Sequence, residues 1–127
     1  ESDILRFPEG LYGFEDVHEY VLLEPDEGHS PILYMQAVHS EYPSFIVVDP
    51  YFIDEQYDPQ VPQDILQALK ADSRDMLRFL AIAVIPQNIR DMTVNMKSPI
   101  VINISNKLAM QVILDESPYL VRQRVFE

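Results

Sequence analysis

Apolar and polar residues alternate along much of this chain, and alternation is the period of a half-buried strand. Residues 32–38 read as such a strand, with Leu33, Met35 and Ala37 on one side, and residues 20–23 and 44–48 read as further strands. Asp49-Pro50 stops the third, and Tyr51-Phe52-Ile53 is expected to extend it beyond a bend. Residues 77–85 are apolar on both faces apart from Arg78, and Pro86 ends the run. A run without a polar face must be covered on both sides, so it predicts a central strand, with Ala81 and Ala83 permitting close approach on one side. Met92, Val94 and Met96 alternate with Thr93, Asn95 and Lys97. Lys97-Ser98-Pro99 breaks that strand, because Pro99 lacks an N–H and biases Ser98 away from helix. Ile100, Val101 and Ile102 form a further apolar run. Residues 108–114 predict the last strand, with Leu108, Met110, Val112 and Leu114 inward and Gln111 outward.

Helical spacing is scarce. Residues 61–71 are the one good candidate, with Pro62 in the first turn, Asp64 near the positive end of the dipole, Lys70 near the negative end, and a stripe of Ile65, Leu66 and Leu69. Residues 15–19 could form a single turn. The segment from Phe7 to Phe14 is a loop punctuated by Pro8, Gly10 and Gly13. About seven strands, short links and one or two short helices predict a mainly β fold, either a small antiparallel β-barrel or a strongly curved sheet. A barrel would also hide the edges of these apolar strands. One domain spanning residues 1–127 is expected from length. The chain opens on Glu1 rather than Met, so a segment upstream is expected.

Charge changes the picture next. The formal net charge is −12, and it is unevenly placed. Residues 1–64 carry 15 acids and one base, Arg6, whereas residues 65–127 carry 6 acids and 8 bases. Such a surface repels phosphate and attracts cationic patches, which argues against direct nucleic-acid binding. With no Cys, disulfides, thiolate metal sites and a thiol nucleophile are excluded. The longest apolar run falls far short of the ~20 residues that span a bilayer, so no membrane partner is expected.

Four sequence blocks carry a family resemblance. These are Phe7-Pro8-Glu9-Gly10-Leu11-Tyr12-Gly13-Phe14-Glu15; Phe45-Ile46-Val47-Val48-Asp49-Pro50-Tyr51; residues 91–103, which read DMTVNMKSPIVIN; and Gln111-Val112-Ile113-Leu114-Asp115 with Tyr119 beyond. In this order, over residues 7–119, they resemble the flagellar assembly factor FliW family. The chain departs from the family's pattern at Tyr12, where Pro is frequent, and at Met96-Lys97-Ser98. Only six residues precede Phe7, so the strand that usually leads into this loop is expected to be missing. The resemblance implies a cytoplasmic protein that binds flagellin. When free, it binds the RNA-binding translational regulator CsrA and relieves repression of flagellin translation. It implies no catalysis and no cofactor, and a monomer is expected.

Candidate partner-binding residues follow from the blocks: Tyr12, Phe14, Glu15 and Asp16 in the first loop, Asp49, Pro50 and Tyr51 after the central strand, and Asn95, Lys97 and Pro99 at the bend. Tyr combines rigid area with a polar tip and is enriched at interface hot spots. Phe52 reads as core, and Asn95 and Asn103 as turn-forming residues that bond the backbone. A strand edge could also accept a flagellin segment. His18, His29 and His39 are scattered and read as surface residues, and the acidic run of residues 54–58 lacks the spacing of a calcium loop. The alternatives are a small metal-dependent hydrolase using clustered carboxylates, and an acidic nucleic-acid mimic competing for a basic groove. The serines lack any nucleophile motif, and the glycines form no phosphate cradle.

Overall fold

A computed structural model of the chain describes residues 4–24 and 31–126. Nine strands are found among them: β1 (Ile4–Arg6), β2 (Glu19–Leu23), β3 (Ile32–Ala37), β4 (Ser44–Val48), β5 (Leu77–Val84), β6 (Thr93–Val94), β7 (Ile100–Asn103), β8 (Ala109–Gln111) and β9 (Gln123–Arg124). Two short helices, α1 (Pro50–Ile53) and α2 (Gln63–Ala68), lie between β4 and β5. The fold is therefore mainly β, as the alternation predicts. No helix among the described residues is long and apolar enough to cross a membrane.

All strand pairings are antiparallel, and the sheet runs β1-β2-β3-β4-β5-β6-β9. It branches at β5, whose first half pairs with β7 and whose last residues pair with β6. β7 then pairs with β8. The strands curl until residue 6 meets residue 108 through one isolated bridge, with the Arg6 N–H donating to the Lys107 carbonyl at 2.9 Å. No ladder forms there, so the sheet curves strongly without closing. Of the two forms expected, the chain takes the strongly curved sheet and not the closed barrel.

Register explains two cores. Leu33, Met35 and Ala37 share the inner face with Val47, Leu80, Ile100 and Ile102, and all are buried. The residues between them point the other way. Val48, Phe79, Ala81, Ala83, Val94 and Val101 form a second core with Tyr57, Leu69, Met92 and Met96. The alternation of Met92, Val94 and Met96 therefore did report burial, although only Thr93–Val94 is strand. Burial on both faces follows from the unbroken apolar run of β5.

Several predicted boundaries shift. Tyr51-Phe52-Ile53 does not extend β4. It belongs to α1, which starts because the Asp49 carboxylate accepts the Tyr51 N–H at 2.9 Å and Pro50 occupies the first turn. This turn leaves Phe52 68% exposed, so it is not core. Residues 15–19 form no helical turn, since Glu19 already opens β2. The helix expected over 61–71 shortens to Gln63–Ala68, because Pro62 is extended and Lys70 has a positive φ of 56°. The last predicted strand contracts to β8. Met110, Leu108, Val112 and Leu114 do pack against the second core, but Gln111 lies in register with Ile100 of the inner face rather than pointing out to solvent. Neither β9 nor β1 was foreseen: a short strand, Ile4–Arg6, does lead into the Phe7 loop and pairs with β2.

Asn103 ties α2 to the sheet. It is fully buried, its Nδ2 donates to the Leu69 and Lys70 carbonyls at 2.9 and 3.3 Å, and its Oδ1 accepts the Ser105 N–H. The side chain thus satisfies helix carbonyls that have no partner within the helix. Replacing it by Leu should cost about 2 kcal/mol, because the Lys70 carbonyl and the Ser105 N–H lose their side-chain partner and the Leu69 carbonyl keeps only Asn106. Thermal melting measures the loss, and hydrogen exchange should rise first at residues 65–71.

Two buried tyrosines give a contrasting test. Tyr57 donates its hydroxyl to the Met96 carbonyl at 2.7 Å. Tyr20 is fully buried with no partner for its hydroxyl among the described residues, and burial pushes its pKa up to about 12. Tyr57→Phe should lower stability by about 1 kcal/mol, while Tyr20→Phe should leave it unchanged or raise it. Equal losses in urea titrations of both variants would contradict this assignment.

Candidate protein-docking surface

The first block forms the link between β1 and β2 and folds over one end of the inner core. Phe7 and Leu11 enter that core. Gly10 sits at φ +68°, and a Cβ there would lie 2.6 Å from the Glu15 Cα. The loop therefore closes on itself only with glycine at this point. The turn that results lifts Tyr12 into solvent at 59% exposure and leaves Glu15 and Asp16 exposed. Glu15 accepts the Gly13 N–H at 3.1 Å. Phe14 is half-buried and meets Tyr42 and Phe45 edge-on at 5.7 and 5.4 Å.

The bend is held as firmly. Asn95 Oδ1 accepts the N–H groups of Lys97 and Ser98 at 3.2 and 2.9 Å, the backbone bonding expected of it. Pro99 and Lys97 accept from Val112 and Leu114 through their carbonyls. Ser98 and Pro99 are buried, and Asn95 and Lys97 half-buried. Gln111 bridges the two segments: its Oε1 accepts the Tyr12 N–H at 3.2 Å and its Nε2 donates to the Ser98 carbonyl at 3.2 Å. The Tyr12 loop and the 95–99 bend are thus one continuous surface, joined by a residue that strand periodicity had turned away from both. The only hint was its place in the fourth block.

Asp49, Pro50 and Tyr51 stand apart. They cap and begin α1, at the other end of β4 from Phe45. Asp49 is exposed and Pro50 is buried. Tyr51 contacts Tyr57 at 5.7 Å, and Tyr57 contacts Tyr119 at 4.6 Å. Because Tyr57 also bonds Met96, this tyrosine stack reaches the back of the bend. Desolvation raises the Tyr51 pKa, with Arg74 pulling it back. Among the described residues, no hydrogen bond or ring contact joins residues 49–51 to residues 12–16.

The acidic front half is displayed rather than buried. Glu9, Glu15, Asp16, Glu24, Glu41, Asp49, Asp54, Glu55, Asp58 and Asp64 are all exposed. His39 pairs with Glu19 at 2.7 Å, and the His18 ring meets the Phe7 carbonyl at 2.9 Å. His29 lies outside the described residues. Among the described residues no three His, Asp or Glu side chains converge as metal ligands would, so the hydrolase alternative finds no such site there. What the surface offers is charge, exposed aromatic area and a rigid backing.

Known proteins agree with this architecture. The family profile described as FliW protein matches residues 1–125. The flagellar assembly factor FliW of Ruminiclostridium cellulolyticum is 35% identical over 127 residues, covering 100% of this chain and 86% of its own. That of Thermoanaerobacter pseudethanolicus is 34% identical, covering 99% and 84%. A crystal structure of the flagellar assembly factor FliW superposes with a TM-score of 0.92 at 28% identity, covering 100% of this chain and 88% of that one. Fold, motif order and whole-length similarity coincide, and the chain belongs to the FliW family of flagellar assembly factors.

Proposed function

We propose that this protein is a cytoplasmic partner switch in flagellar assembly. It binds flagellin, and when flagellin is exported the freed protein binds the translational regulator CsrA and relieves its repression of flagellin synthesis. It works by binding rather than by turnover. The observation that carries this reading is the family match along residues 1–125. The charge distribution supplies a physical route. An RNA-binding regulator must present cationic surface to phosphate. A body of net charge −12, with its acids exposed, is steered towards such a surface and lowers the potential that attracts RNA once docked beside it. The Tyr12 loop and the bend, locked together by Gln111, give a preorganised face whose binding costs little ordering entropy.

Purified chain, mixed with flagellin or with the regulator, should co-elute with each, and excess flagellin should release the regulator and restore its grip on RNA. Failure to bind either protein would overturn the reading. A ternary complex of chain, regulator and RNA at weakened RNA affinity would distinguish remote action from the acidic-mimic alternative, which forbids one. Changing Glu9, Glu15 and Asp16 to amides should slow association with the regulator about threefold at low salt and hardly at all at high salt. Stopped-flow measurements at several salt concentrations read this directly.

A further inference from the structure

The sheet ends on an open strand whose surroundings carry the opposite charge to the rest of the molecule. β9 has β6 as its sole neighbour among the described residues. A strand paired on one side only turns alternate N–H and C=O groups outwards, where they can pair with another chain. Val84, Thr93 and Arg124 form one cross-strand row over β5, β6 and β9. The row therefore ends on an arginine at the edge itself. Arg122 lies in the turn immediately before this strand.

Arg122 and Arg124 are exposed, and so is Arg90, which stacks over Phe126 at 5.9 Å. Among the described residues their one acidic neighbour in an ion pair is Asp91, 4.0 Å from Arg124. Arg122 has no ion-pair partner among the described residues. Beside the arginines, Val84, Leu120 and Val121 are more than half exposed, at 62%, 53% and 53%. A 490 Å³ groove walled by Val84, Val121 and Arg122 runs along the same face.

Arginines on an edge strand normally discourage pairing. Here they repel a second copy of the same edge, but they attract a strand of opposite charge, and the exposed apolar side chains of Val84, Leu120 and Val121 beside them reward contact. Cross-strand pairs of opposite charge stabilise a sheet, and like charges oppose it. We propose that β9 docks an extended acidic segment of a partner protein by strand addition. One carboxylate of the segment lies opposite Arg124, another reaches Arg122 in the turn before the strand, and its flanking apolar side chains cover Leu120 and Val121. This surface differs in sign from the acidic face assigned to the regulator and adjoins the bend, since Asn95 lines the groove and the Leu120 carbonyl accepts the Met96 N–H at 2.9 Å.

The test uses the full chain and a short acetylated peptide alternating Val with Asp, followed by amide NMR. Shifts should concentrate on residues 120–125, and the outward amides of β9 should gain protection from exchange. The double variant Arg122→Glu, Arg124→Glu should weaken the peptide about tenfold, equivalent to ~1.4 kcal/mol. The variant Lys70→Glu, which also reverses one exposed charge but on the α2 side, should leave affinity unchanged. A peptide N-methylated at alternate residues keeps the charges and loses the strand bonds, and it should not bind. Thermal melting confirms that each variant is folded. Absence of binding, shifts centred elsewhere, undiminished binding to the double variant, or full binding of the N-methylated peptide would each overturn the proposal.

Discussion

Strand β5 must be covered on both faces, and the rest of the structure is arranged to do it. Its apolar residues leave no side for solvent between Phe79 and Ala83. β4 flanks it on one side, and β7 and β6 share the other. The inner face closes by curling the sheet and folding the Phe7 and Leu11 loop over its end. The outer face closes with chain that is mostly irregular: α1, α2, the bend and the C-terminal segment. Irregular chain can cover a core only if its backbone groups find partners. Asn95 supplies them within its own bend, and Asn103, Tyr57 and Gln111 bond to backbone far along the chain.

Much of this was legible in the sequence, for definite reasons. β3 alternates, β4 is a short apolar run stopped by Asp49-Pro50, and β5 is a longer uninterrupted apolar run, so period, length and stop signals located them. The pattern failed where short apolar strings suit two structures. Tyr51-Phe52-Ile53 has the composition of a strand, yet the preceding Asp49-Pro50 is also a helix-start signal, and the cap decided the matter. Phe52 then points to solvent because of the turn it sits in, not because of its own chemistry. Of the candidate surface, the sequence marked the loops but not their connection. Gln111 and Tyr12 are 99 residues apart, and local periodicity carries no information about such a contact.

The division of charge has a counterpart in space. Acids dominate the loop after β1, the α1 cap and the approach to α2, whereas arginines gather at the β6–β9 edge. A molecule of this kind has an electrical orientation. Partners of opposite sign approach it from different directions, which lets one small scaffold discriminate between them before any close contact forms.

The single bridge between residues 6 and 108 has a consequence of its own. Where neighbouring strands of the sheet are stitched by a register of paired residues, this contact hangs on a lone backbone bond, so the curved sheet keeps a slit between β1 and β8. Breathing motions open at the weakest stitch. Since the strand at that slit leads straight into the Tyr12 loop, whatever grips the loop also tugs on the one part of the wall that can give way.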